Sequence, residues 1–225
     1  TGGREHPYLS THPLTNDRIA AISGHLALSR FADAPIDEDL VRKHKYMRAK
    51  LIGFMEPLET TLHFYPVNRT DIPARYARAI GYYRNADLKT ALPLVDALIA
   101  DQPDNPYFFE LKGQMLLENA KVVDSLAPYT RMVELAPHEP LLRLALGKAQ
   151  VESGQAELLE PARENLQGAV RMDSNLREAW RLLTVVNGRL GNKGELALVQ
   201  AEYRLLGRDL KAAKALAERA INILP

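Results

Sequence analysis

Small residues recur along this chain at a fixed interval. Ala79, Gly113 and Gly147 lie 34 residues apart in turn, and Pro103 and Pro137 keep the same spacing. A chain that repeats on this scale cannot fold around one central core, because each unit is too short to cover its own apolar face. Successive units must therefore stack. Large residues follow the small ones at helical spacing, Tyr82 three positions after Ala79 and Leu116 three after Gly113, while Val95 and Tyr129 recur later in each unit. A small residue at a helix–helix contact lets two antiparallel helices approach closely, where a larger one would overpack. The prolines end the apolar stretches that run into them, since proline cannot continue a helix.

A 34-residue period with a small residue early and a proline late is the pattern of the tetratricopeptide repeat. Residues 72–105 and 106–139 read as two well-formed repeats. A third, 140–176, carries about three extra residues, because Gly147 and its counterpart Thr184 are 37 apart; the insertion is expected near 155–161. The fourth runs from 177 to about 207, with Trp180 as its leading aromatic and Gly191 at its turn. A last helix over about 209–224, with Leu210, Ala213, Leu216, Ala217, Ala220 and Leu224 on one face, would cap the array. The expected fold is all-α: a tetratricopeptide-repeat solenoid of antiparallel helix pairs over 72–225, preceded by two or three non-repeat helices over 1–71.

In that first part Thr15 stands as an N-cap between Leu14 and Ile19, which flank it as a hydrophobic staple would, and Ile19, Ile22 and Leu26 follow at helical spacing to about Arg30. Asp37, Glu38 and Asp39 place acid at the positive end of a second helix, whose Leu40, His44, Met47, Leu51 and Met55 line one face until Pro57. His44, on that apolar face, reads as a core histidine rather than a ligand. A short helical piece over 58–65 leads to Pro66 and the repeats.

Composition removes several function classes. Twenty-nine basic and 28 acidic side chains leave a net charge of +1, without the basic excess of a nucleic-acid binder. No apolar run reaches the length of a membrane span, and residues 1–5 show no targeting pattern and read like the cut edge of a longer protein. With no cysteine there are no disulfides, thiolate nucleophiles or cysteine-ligated zinc. Gly191-Asn192-Lys193-Gly194 imitates the GxxG loop of an RNA-binding module, but it falls at a helix–helix turn.

The segment 8–19, with His12-Pro13 and Arg18-Ile19, resembles the stretch that follows the catalytic centre in HExxH zinc endopeptidases related to the CAAX prenyl endopeptidase. The segments 46–54, 73–79 and 102–107 are similar to the long bacterial members, so the resemblance spans nearly the whole chain. It implies a periplasmic location, a C-terminal tetratricopeptide region and a zinc-bearing catalytic domain in the parent protein. The HExxH itself is not in this chain: His138-Glu139 is followed by Pro140, and position 142 is Leu142. The chain by itself is thus expected to bind no cofactor and cleave no protein. In the parent, His12 would lie near the active-site cleft or simply fix a turn. Arg18 would pair across to the catalytic part or remain solvated.

The first helix of each pair in such a solenoid lines the concave surface, where peptides dock. The inward positions fall on Tyr76, Ile80, Tyr83 and Arg84, then Glu110, Gln114, Leu117 and Glu118, then Leu144, Lys148, Val151 and Glu152, and finally Arg181, Val185 and Arg189. The peptide-binding candidates among them are Tyr76, Tyr83, Arg84, Gln114, Glu118, Lys148, Glu152, Arg181 and Arg189. Tyr82-Tyr83 and Tyr107-Phe108-Phe109 are expected mainly in the core. The partner is a polypeptide, either a client or the parent's own protease domain packed in the groove. A stand-alone adaptor with no protease attached is the other reading.

Overall fold

The computed structural model describes residues 15–224 apart from 33 and 36. Leu14 and His12 lie outside the described residues. Among those described every regular element is helical. The chain divides into two compact units, Thr1–Lys45 and Tyr46–Pro225, so residues 46–71 group with the repeats rather than with what precedes them.

In the first unit α1 (Thr15–Ala27) ends in a turn, and α2 (Glu38–Met55) opens where the Asp37 carboxylate accepts the Asp39 amide at 2.8 Å. Ile19, Ile22 and Leu26 are all exposed, as is Arg18, which makes no ion pair among the described residues. His44 is exposed as well, so it is not a core histidine.

The later part of α2 belongs to the second unit, and there the side that packs is not the one the apolar spacing suggests. Met47, Leu51 and Met55 are exposed, whereas Ala49 and Gly53 are buried. A Cβ on Gly53 would stand 2.8 Å from both the Ala77 carbonyl and Ile80, so only glycine allows this approach. Tyr46, Ile52 and Phe54 pack beside this close contact. The helix α3 (Leu58–Phe64) follows, and buried Arg78 donates to the carbonyls of Tyr65 (3.3 Å) and Pro66 (2.8 Å), tying the connecting loop to the first repeat.

The repeats appear as helix pairs: α4 (Ile72–Arg84) with α5 (Leu88–Asp101), α6 (Pro106–Glu118) with α7 (Val122–Leu135), α8 (Pro140–Glu152) with α9 (Leu159–Met172), and α10 (Arg177–Leu190) with α11 (Lys193–Leu206). The extra residues of the third repeat form a short 3-10 turn, Ala156–Leu158, between α8 and α9. The last helix, α12 (Leu210–Ile221), buries Ala213 and Ala220 against the array, but Leu210, assigned to that face from the sequence, is exposed. Proline opens α6 and α8 and occupies the second position of α4, where its missing N–H costs nothing.

The second and third pairs close on their small residues. A Cβ on Gly113 would lie 2.6 Å from ring carbons of Tyr129, and one on Gly147 would lie 2.7 Å from Leu166. Ala79 is wholly buried. Around these contacts Ile80, Leu98, Phe108, Met115, Met132, Leu166 and Leu183 are withdrawn from water, each contributing roughly 1.5–3 kcal/mol of transfer free energy. Phe108 is core as expected, while Tyr107 is about half exposed.

The reversals inside the repeats share one backbone device. Ala86 (φ 60°), Ala120 (φ 58°), Gly154 (φ 72°) and Gly191 (φ 74°) are all left-handed, as is Arg208 (φ 60°) before α12. In most of them the next amide reaches back five residues, Asp87 to the Tyr82 carbonyl at 2.9 Å, Lys121 to Leu116 at 2.9 Å, and Asn192 to Asn187 at 3.0 Å. Such a bond satisfies carbonyls that a helix end leaves open.

Candidate functional site

The first helices of the second and third repeats enclose, with one residue of a second helix, a cavity of about 450 Å³. Glu110, Gln114, Leu117 and Glu118 enter it from α6, Ala145, Lys148 and Glu152 from α8, and Tyr129 from α7. Residues four apart on a helix share a face, which is why Glu110, Gln114 and Glu118 on α6, and Lys148 and Glu152 on α8, come to one wall each.

Polar contacts fix much of this surface. Glu118 accepts hydrogen bonds from the Tyr83 hydroxyl and from Gln114 Nε2, the latter at 2.9 Å. Glu110 pairs with Lys50 at 3.0 Å, and Lys148 stands 3.8 Å from Glu152. Burial, followed by the bond to Glu118, pushes the Tyr83 phenol above its ordinary pKa. Tyr129 is raised also, first by burial and then by the negative charge of Glu110, Glu118 and Glu152.

Of the residues singled out in the sequence, Gln114, Glu118, Lys148 and Glu152 are brought together here, and Tyr83 reaches the same cluster through Glu118. Tyr76 is not a groove residue. It is buried, its ring 5.2 Å from that of Phe108 and 6.4 Å from that of Tyr46, because the tail of α2 covers the start of α4. Ile80 and Val151, read as inward-facing, are likewise core. Arg84, Arg181 and Arg189 are exposed but do not line the cavity. Arg181 is held by Glu178 through two bonds of 2.7 Å, and Arg181 in turn lowers the Glu178 pKa. Arg189 donates to the Val151 carbonyl at 3.2 Å.

Two lining residues were not picked out from the sequence, Ala145 and Tyr129. Tyr129 was recognised only as a large residue that recurs, with Val95, on the second helices; nothing in the spacing of a second helix shows that a buried tyrosine also lines the first-helix side. Among the described residues no group of three or more His, Cys, Asp or Glu side chains is placed to hold a metal ion. No helix described is long and apolar enough to cross a membrane.

A scan against protein-family models finds no match, and a search of curated proteins finds none either. Solved structures do match. A double mutant of MamA RS-1 superposes with a TM-score of 0.61 at 21% identity, over 76% of this chain and 94% of that one. YrrB, described as a TPR protein with an unusual peptide-binding site, gives 0.60 at 18% identity, over 77% and 90%. MamA MSR-1 gives 0.54 at 19%, over 80% and 95%. With the helix pairs and their small-residue contacts, these likenesses establish that the chain folds as a tetratricopeptide-repeat solenoid.

Proposed function

We propose that this chain binds polypeptide along the first helices of its repeats, as the C-terminal region of a periplasmic zinc metalloendopeptidase acting in envelope protein quality control. The observation that carries the binding part is the cavity where Gln114, Glu118, Lys148 and Glu152 from two successive repeats meet. It is concave, of the size that binding clefts have, and mixes apolar wall with fixed polar groups. The peptide-binding site described for YrrB, on the same kind of scaffold, supports that reading. The protease context rests on the resemblance around His12, Arg18 and the segments 46–54, 73–79 and 102–107. Zinc and the hydrolytic step belong to a catalytic part preceding this chain, and the array presents chains to it. A stand-alone adaptor is the alternative.

A photo-crosslinking residue at Lys148 or Arg181 in the intact protein tests both parts. Crosslinks to separate polypeptides are expected, with none from Lys89 or Arg131, which project from the second helices α5 and α7. An intramolecular crosslink to the catalytic part would make the groove a domain seat. Capture from Lys89 alone would overturn the groove assignment. An upstream reading frame without HExxH would leave the adaptor.

A further inference from the structure

We infer that the cavity between α6, α7 and α8 takes a lysine or arginine side chain of the bound polypeptide, an assignment that rests on the groove being a polypeptide site. Three carboxylates, Glu110, Glu118 and Glu152, face one ammonium, Lys148, in the cavity wall. Lys50 neutralises Glu110 from outside at 3.0 Å. Glu118 is bonded by two neutral donors, Tyr83 and Gln114, which hold its carboxylate still and leave its charge intact. Lys148 is 3.8 Å from Glu152, beyond hydrogen-bond length. Among the lining side chains and Lys50, three carboxylates therefore meet two ammonium groups.

A second observation points to a ligand independently. Tyr129 is 3% exposed and lines the cavity, yet its hydroxyl has no hydrogen-bond partner among the described residues. That oxygen is open to the cavity rather than sealed in the core, and an open phenol beside three carboxylates suits an incoming group that brings both a cation and backbone carbonyls. The phenol donates to a carbonyl of the polypeptide. The cationic head settles at Glu118 and Glu152, and its methylene stem lies along Leu117 and Ala145, the way long basic side chains divide between apolar and charged surroundings. A fixed carboxylate is the stronger partner because little side-chain freedom is lost on binding.

The test is an NMR titration of the isotope-labelled chain with a capped alanine pentapeptide whose central residue is lysine, norleucine or glutamate. The lysine peptide should shift the amides of Gly113, Gln114, Tyr129 and Ala145, with norleucine about tenfold weaker and glutamate weaker still. Added salt should weaken only the lysine peptide. Glu118→Gln with Glu152→Gln should remove the lysine preference, and Tyr129→Phe, which keeps the ring packed on Gly113, should weaken all three peptides alike. Equal affinity for lysine and norleucine would overturn the basic-side-chain assignment and leave the polypeptide groove standing. Failure of every peptide to shift a groove amide would overturn both.

Discussion

Helices α1 and α4 both carry apolar residues at helical spacing, and they meet different fates. In α1, Ile19, Ile22 and Leu26 remain 56%, 66% and 57% exposed, whereas in α4 Ile80, Ala77 and Ala79 are fully buried and Tyr76 nearly so. Spacing gives a helix an apolar side. Whether that side leaves water depends on a neighbour shaped to receive it, and in the repeats that neighbour recurs with the period of the sequence. The small residues are what allow it: Gly53, Gly113 and Gly147 each sit where a side chain would collide with the facing helix, while a Cβ on Gly24 of α1 would meet nothing within 4 Å.

The largest effect that separates the two helices is loss of a buried side chain. Ile80→Ala should cost about 2–5 kcal/mol in urea unfolding followed by circular dichroism, and Ile22→Ala less than about 0.5 kcal/mol. Similar losses at both positions would mean that α1 is as well packed as the array. Next comes overpacking. Gly147→Leu should destabilise by about 1–3 kcal/mol because the new side chain must enter the contact with Leu166. Gly24→Leu should be neutral or mildly stabilising, since leucine is the better helix former by roughly 0.8–1 kcal/mol.

Smaller effects come from what a helix does for itself. Asp71 caps α4, accepting the Ala74 amide at 3.2 Å, and Asp71→Ala should cost about 1 kcal/mol by thermal melting. Burial works against the charged form of Asp71, but Arg69 and that amide outweigh it and hold its pKa below the usual carboxylate range. A depressed carboxylate stabilises the fold above its unfolded value, so the cap's contribution is complete above about pH 4 and is lost as pH falls through the lower folded value. The Asp71→Ala and parent melts should therefore converge in acid. Smallest of all is the surface pair of Glu178 and Arg181, about half exposed on both sides; Glu178→Gln should shift stability by under about 0.5 kcal/mol, and a shift above 1 kcal/mol would show that α10 leans on its own surface charges.

The contrast also explains what could be read in the sequence. The helix pairs from Ile72 onward, the insertion between α8 and α9, and the small-residue contacts were legible, because steric demand repeats with the chain. The packed side of α2 was not. Bulk at helical spacing pointed to Leu40, Met47, Leu51 and Met55, while the contact centres on Ala49 and Gly53, which carry almost no hydrophobic signal, with Tyr46, Ile52 and Phe54 packed beside them. The candidate site was half legible. Helical spacing placed Gln114, Glu118, Lys148 and Glu152 on one side, but Tyr76 was lost to the core because Tyr46, from a helix outside the repeat period, packs there with Phe108 of the next repeat. Tyr129 stayed hidden for the opposite reason. A residue needed for packing was also the one whose oxygen opens into the groove.

Two of the four reversals within the repeats are made by alanine, Ala86 and Ala120, in backbone that glycine adopts without strain. An L-residue there costs roughly 1–2 kcal/mol, so these turns are held against their own preference by the helices on either side. A turn dictated from outside does not need its own sequence code. Through such repeats a lineage can drift widely at the corners, exchanging alanine for glycine or inserting residues as the third repeat has done, while the contacts that set the stack stay fixed. Divergence would then gather at the bends, and solenoids of one shape would share few residues in line.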